Sequence, residues 1–116
     1  MRRIRMLCVG GVLVCVAALA SCAQSGQAAD RPQPKTHNVV MEGMVFQPNV
    51  ITIAAGDTVV WINKDLVPHT ATSSAAGFDS NIVAANKAWR HTFERTGDFD
   101  YICSLHPTMT ATLHVR

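Results

Sequence analysis

From Asn38 onward, short runs rich in β-branched and aromatic residues alternate with turn residues. The runs predict seven strands, at residues 39–41, 50–53, 58–62, 69–72, 88–93, 99–103 and 111–115. Several of them alternate apolar and polar side chains, as a strand with one buried face must. In the last run, Leu113 and Val115 share one face and His114 lies on the other. This pattern predicts an all-β sandwich.

One long segment, at residues 75–86, lacks a strand pattern. It contains Gly77, Asn81 and Asn86, and its apolar residues do not recur at helical spacing. We therefore predict a long loop here, with at most one turn of helix.

The first part of the chain has the layout of a secretory signal, because arginines precede an apolar run at residues 6–20. That run is shorter than a membrane-spanning helix requires. It ends in Leu19-Ala-Ser-Cys22, which resembles the lipobox of bacterial lipoproteins, where the signal is cleaved before a cysteine that is then acylated. We expect a signal peptide at residues 1–21 and lipidation of Cys22. The alternative is a chance cysteine in an ordinary signal peptide.

Small, polar and proline residues follow Cys22 without apolar periodicity. They predict a flexible tether at residues 22–37 between a lipid anchor and a folded domain at residues 38–116. Such a protein is exported to the periplasm. Ala23, directly after the cysteine, favours anchoring in the outer membrane.

The charges argue against one class of function. The whole chain has a formal net charge of +2, which becomes about −1 once the three arginines of the signal are removed. Nothing in the remaining sequence clusters lysine and arginine, so we predict no nucleic-acid binding. A chain of 116 residues has room for one small domain, and a monomer is the default state.

Cysteine positions are more informative than charge. Cys8 and Cys15 lie in the signal and Cys22 at its end, so Cys103 is the one cysteine of the predicted domain. A disulfide within the domain is therefore impossible. A lone thiol in an oxidising compartment has to be hidden, reactive or bound.

The residues around Cys103 indicate what binds it. His106 and Met109 follow at intervals of three residues in a predicted loop, and His69 lies at a separate strand end. Two imidazoles, a thiolate and a weak thioether are the donors of copper electron-transfer sites. The predicted metal ligands for one copper ion are therefore His69, Cys103, His106 and Met109.

At this point the domain resembles a known family, the cupredoxins. The resemblance spans residues 38–116 and is carried by Met44-Val-Phe-Gln-Pro, Gly56-Asp-Thr-Val-Val-Trp, Val67-Pro-His-Thr and Cys103-Ser-Leu-His-Pro-Thr-Met. The short ligand loop is similar to that of the amicyanins, with plastocyanins and pseudoazurins as relatives. The resemblance implies a Greek-key β-sandwich of about eight strands and the same four copper ligands. It also implies single-electron transfer between a redox protein donor and an acceptor.

The resemblance leads to two more specific expectations. Thr70 stands where several cupredoxins carry an asparagine that orients the copper loop. Its backbone N–H can still reach the Cys103 thiolate, but losing the amide side chain is expected to loosen the surroundings of the site. Electron-transfer partners are expected to dock transiently near His106, on an apolar patch formed by Val67, Pro68, Leu105 and Pro107.

Other functions fit parts of this pattern. A thiol enzyme would use Cys103 as nucleophile and His69 or His106 as base, but no motif supplies an orienting group or an oxyanion site. We therefore do not expect an enzyme. A zinc site is disfavoured because methionine is a poor zinc ligand.

A periplasmic copper carrier or copper-resistance protein would use the same four ligands. The tether carries no Met- and His-rich tract of the kind expected in a carrier, which favours electron transfer. The remaining histidines of the domain region, His37, His91 and His114, are expected to be structural or surface residues.

Overall fold

The computed structural model describes residues 32–116. The predicted signal peptide, Cys22 and residues 22–31 of the tether lie outside the described residues. Within this range the regular structure is entirely β. The described part of the chain offers no helix with the length and apolar character that crossing a membrane requires.

Nine strands form two sheets. They are β1 Thr36–Glu42, β2 Val45–Gln47, β3 Val50–Ile53, β4 Thr58–Asn63, β5 Thr72–Ser73, β6 Phe78–Asp79, β7 Ala88–Thr92, β8 Gly97–Ile102 and β9 Thr110–Val115. One sheet has the order β2-β1-β4-β7 and the other β3-β9-β8-β5-β6. Two of the pairings, β1 with β4 and β3 with β9, are parallel because the chain crosses repeatedly from one sheet to the other. The predicted all-β sandwich is confirmed, with nine strands instead of about eight.

The strand boundaries near the predicted long loop differ from the prediction. His69 forms an isolated bridge with Val83, and β5 begins only at Thr72. The prediction of a continuous loop at residues 75–86 is wrong in part, because strand β6 lies within it and residues 74–77 form the turn of a β5–β6 hairpin. Gly77 has a φ of 71°, a left-handed conformation that glycine adopts readily and that ends the turn.

Strand β1 begins at Thr36, two residues before the predicted start of the domain. Thr36 and His37 pair in parallel with Thr58 and Val59. This pairing is made by backbone hydrogen bonds, which a pattern of apolar side chains does not reveal. The last two residues assigned to the tether therefore belong to the sandwich.

Trp61 occupies the centre of the core between the sheets. Its ring lies 5.6 Å from that of Tyr101 and 5.5 Å from that of Phe78, measured between centroids. Burial raises the pKa of Tyr101 to about 12, so the phenol stays neutral in the core. Cys103 and Met109 belong to the same buried cluster, which places the ligand loop directly on the core.

Asp57, in the turn before β4, fastens the start of β1. Its carboxylate accepts hydrogen bonds from the Lys35 backbone N–H at 2.8 Å, the His37 Nε2–H at 2.8 Å and the Ala54 backbone N–H at 3.0 Å. These bonds, with that from Lys35 the largest contribution, lower the pKa of Asp57 from 3.8 to about 2. The ionised carboxylate is therefore the form that the folded state prefers.

Replacing Asp57 with asparagine is expected to make the stability of the domain fall less steeply as the pH drops from 3.8 towards about 2. A lowered pKa adds stability above pH 3.8, and that stability is lost as the pH falls towards about 2. Thermal unfolding of metal-free protein at a series of pH values measures this. Asp100→Asn, which neutralises an exposed carboxylate of β8, is the matched control. An equal loss of stability at acid pH in wild type and Asp57→Asn would contradict the stabilising role given to the ionised Asp57 carboxylate.

Candidate metal centre

Two segments bring the predicted ligands to one end of the sandwich. His69 lies between β4 and β5, and its backbone exchanges two hydrogen bonds with that of Val83, at 2.8 and 3.1 Å. Cys103, His106 and Met109 lie in the loop between β8 and β9. Each segment follows a strand of a different sheet, so the site spans the top of the core.

Three donor atoms converge closely. His69 Nδ1 lies 3.2 Å from His106 Nδ1 and 3.8 Å from Cys103 Sγ, and the distance from Cys103 Sγ to His106 Nδ1 is 3.6 Å. Among residues 32–116, these three residues form the one group of His, Cys, Asp or Glu side chains arranged to hold a metal ion. These three residues are among the four ligands that donor type and spacing in the sequence predicted.

Met109 closes the ligand loop onto Cys103. The Met109 carbonyl accepts the Cys103 backbone N–H at 3.1 Å, and the Met109 N–H donates to the His106 carbonyl at 2.9 Å. A further bond runs from the His106 N–H to the Cys103 carbonyl at 3.2 Å. The Met109 side chain is buried in the core cluster. The loop is thus a compact series of turns that brings Met109 back beside Cys103.

Asp65 orients His69 and was not anticipated from the sequence. Its Oδ2 accepts the His69 Nε2–H at 2.7 Å, and the carboxylate also accepts the backbone N–H groups of Gly43 and Met44 at 2.7 and 3.0 Å. These bonds, that from Met44 first, hold the pKa of Asp65 below its usual range. With Nε2 engaged, Nδ1 is the nitrogen that faces Cys103. The available signal was an acidic residue four positions before a predicted ligand.

Thr70 connects the two ligand segments. Its backbone N–H donates to Cys103 Sγ at 3.3 Å, as the sequence predicted. Its hydroxyl Oγ1 also accepts the backbone N–H of Ser104 at 2.7 Å. The expectation that threonine loosens the surroundings of the site is therefore wrong, because the hydroxyl supplies an acceptor between the two loops.

The ligands differ in their access to solvent. His69 and Cys103 are 0% exposed and Met109 is 2% exposed, whereas His106 is half-buried. The apolar residues predicted to surround His106 are exposed. We call the exposed set the apolar face, and it consists of Val67, Pro68, Leu105 and Pro107.

The other described histidines lie away from the donor cluster. His37 bonds to Asp57, His114 Nδ1 lies 2.6 Å from Asp98 Oδ1, and the His91 ring stacks on Trp89 with centroids 5.4 Å apart. Their predicted structural or surface positions agree with these contacts.

The donor set suits copper. Soft thiolate and thioether donors favour Cu(I), and imidazole donors suit Cu(II) as well. A buried thiol that receives a backbone N–H bond and faces two imidazole nitrogens is arranged as a metal-bound thiolate would be. A zinc site would have four strong donors, whereas the fourth predicted ligand of this site, Met109, is a methionine.

The fold and site together define a class of protein, a small β-sandwich with a two-histidine, one-cysteine metal site at one end. The chain belongs to the cupredoxin-like domain family, whose model matches residues 12–115. The family resemblance inferred from the sequence motifs is confirmed.

Among curated relatives, the chain is similar to the amicyanin of Paracoccus versutus, with 32% identity over 83 residues that cover 67% of this chain and 63% of that protein. It is 29% identical to amicyanin-alpha of Methylorubrum extorquens over 97% of this chain and 99% of that one. The plastocyanin of Scenedesmus fuscus is 30% identical over 54% of this chain and 76% of that protein.

Solved structures give the same picture. A Cu(I) form of an amicyanin variant superposes with a TM-score of 0.65 at 26% identity, covering 70% of this chain and 82% of that one. A copper-containing nitrite reductase from Thermus scotoductus also superposes with a TM-score of 0.65, at 29% identity. That match covers 74% of this chain but only 23% of the reductase, so the similarity concerns one part of a larger enzyme.

Proposed function

We propose that this protein is a blue copper electron carrier that holds one copper ion with His69, Cys103, His106 and Met109. The observation that carries the proposal is the convergence of the Cys103 thiol and two imidazole Nδ1 atoms within 4.8 Å of one another. Membership of the cupredoxin-like family and the similarity to amicyanins and plastocyanins support it.

When bound, copper supplies a Cu(II)/Cu(I) couple for one electron. The chain's part is to hold the donors in place. Asp65 fixes the His69 ring, and Thr70 bonds to both Cys103 and Ser104. These contacts are made between groups of the protein itself. A site that rearranges little when an electron arrives or leaves exchanges electrons with a low barrier.

Electrons are proposed to pass through the half-buried edge of His106. The apolar face that is proposed to surround it includes Leu105 and Val67, which are 44% and 41% exposed. A small apolar surface suits brief contact with a redox protein donor and then an acceptor, since weak complexes of this kind bury little area. The chain is proposed to act as a monomer.

The protein is further proposed to work outside the cytoplasm, in the periplasm, anchored to the membrane through a lipid on Cys22. The signal-like residues 1–21 and the lipobox-like sequence before Cys22 support this location. A lone buried thiol also suits an oxidising compartment if a metal occupies it.

Protein-film voltammetry combined with a chelator challenge tests this function. An electron carrier gives a reversible one-electron wave and keeps its copper, since two of its ligands are fully buried. A copper carrier using the same ligands would instead yield its metal quickly to a competing chelator. If copper passes rapidly to the chelator and no reversible wave is seen, the protein is a copper-trafficking protein and not an electron carrier.

Leu105→Asp is expected to slow electron self-exchange between copper-loaded molecules by roughly tenfold or more, because two carboxylates would meet when apolar faces dock. Visible spectra should be unchanged, since Leu105 is not a ligand. Val50→Asp, at an apolar residue of the edge strand β3 that is 54% exposed against 44% for Leu105, is the matched control. If both variants slow exchange equally, docking does not use the apolar face.

A further inference from the structure

A row of hydroxyl groups runs from the ligand loop to a surface carboxylate. Thr70 Oγ1 lies 2.9 Å from Ser104 Oγ and 3.0 Å from Thr72 Oγ1, and Thr72 Oγ1 lies 3.1 Å from Asp79 Oδ1. We propose that this row is a polarised hydrogen-bond chain through which Asp79 lowers the reduction potential of the site. The inference rests on the proposed copper function.

The direction of every proton in the row follows from its two ends. A carboxylate can only accept, so the single hydroxyl proton of Thr72 points to Asp79. Thr72 must then accept from Thr70, which uses the proton of Thr70. Thr70 in turn accepts both the hydroxyl and the backbone N–H of Ser104. All hydroxyls therefore point away from the ligand loop and towards Asp79.

The inner end of the row touches the thiol's own surroundings. Thr70 donates its backbone N–H to Cys103 Sγ, and Ser104 is the residue that follows Cys103. Thr70 itself is 3% exposed, so its contacts are little screened by water. The aligned hydroxyl dipoles therefore lie next to two peptide N–H groups close to the sulfur, those of Thr70 and Ser104.

The outer end is fixed by the fold. Thr72 and Asp79 are paired directly across the β5–β6 hairpin, which places both side chains on the same face of the sheet. Asp79 Oδ1 also accepts the Asn81 backbone N–H at 2.8 Å. The acceptor is therefore held at one position at the end of the row.

The sign of the effect follows from these dipoles. Each hydroxyl presents its negative oxygen towards the ligands and its positive proton towards Asp79. A negative potential at the site stabilises the oxidised ion, which carries the larger charge, and lowers the reduction potential. Asp79, Thr72 and Thr70 are thus positioning residues that act on the site without contacting the metal.

Reduction potentials of copper-loaded wild type, Asp79→Asn, Thr72→Val and the double variant test the proposal as a cycle. Asp79→Asn is expected to raise the potential, and Thr72→Val is expected to remove most of that shift. Asp100→Asn is the matched control, because Asp100 accepts a hydroxyl from Thr112 that has no connection to Thr70. Its shift should be smaller than that of Asp79→Asn. Two results would contradict the proposed hydrogen-bond chain. One is equal shifts in reduction potential for Asp79→Asn and Asp100→Asn. The other is a potential shift from Asp79→Asn that is unchanged in the Thr72→Val background.

The metal-free protein provides a second readout that does not depend on copper. Hydrogen exchange of the Ser104 amide is expected to accelerate in Thr70→Val and to stay slow in Thr70→Ser, which keeps the hydroxyl acceptor. Unchanged exchange in Thr70→Val would contradict the inner link. If the wild type forms no blue copper site, the proposed function is wrong. The exchange measurement still tests the hydrogen bond between the Ser104 N–H and the Thr70 hydroxyl.

Discussion

Replacing Cys103 with serine is expected to abolish the intense visible absorption of the copper-loaded protein while leaving the sandwich folded. Only a thiolate supplies the sulfur-to-copper charge transfer that produces such a band. Serine is nearly isosteric with cysteine, and its oxygen can accept the Thr70 N–H that now reaches Sγ. Copper binding should weaken, and reversible one-electron chemistry should be lost.

Two comparisons make this result specific. Metal-free Cys103→Ser should unfold within a few degrees of the metal-free wild type, which shows that the loss is chemical and not structural. His114→Gln removes a histidine that bonds to Asp98 on the outer face of β9 and should keep the full absorption. A strong visible band in Cys103→Ser would place the metal elsewhere.

Replacing Asp65 with alanine is expected to weaken copper binding by about 10- to 100-fold, the usual effect of removing a residue that orients a ligand. The loss has two parts. His69 is freed to rotate, and the Gly43 and Met44 N–H groups lose their acceptor. Asp65→Asn should fall between wild type and alanine, because an amide oxygen can still accept one of these bonds. Competition with a chelator of known affinity measures the change.

Asp98 offers a matched control for Asp65. It also bonds to a histidine, His114, at 2.6 Å, and its pKa is likewise lowered, first by that bond and then by Arg116. Asp98→Ala should therefore leave copper affinity unchanged. Equal losses in both variants would mean that Asp65 acts through general charge and not through His69.

The grouping of His69, Cys103 and His106 could be predicted because most of its chemistry lies within a few residues of sequence. Cys103, His106 and Met109 occur within one short loop. Their donor types are typical of a copper site that needs a second histidine, and this requirement pointed to His69 in another segment. The alternating strands β4 and β9 could be predicted for a similar reason, since their buried faces follow from residue order alone. Both features depend on neighbours in sequence.

Contacts between distant segments were harder to foresee. Asp65 meets the turn at Gly43 and Met44 only after β1 and β4 have paired, and Thr72 meets Asp79 only through the register of a hairpin whose strands are two residues long. Strands so short carry no periodicity to recognise. The role of the Thr70 hydroxyl was missed because it depends on Ser104, which lies 34 residues away.

The most direct test of the blue copper assignment is visible absorption and electron spin resonance of the protein, loaded with Cu(II) and titrated with a mild reductant. The arrangement of His69, Cys103 and His106 predicts an intense thiolate-to-copper band that bleaches on reduction and returns on oxidation. A weak band with the resonance of an ordinary tetragonal Cu(II) centre would contradict it.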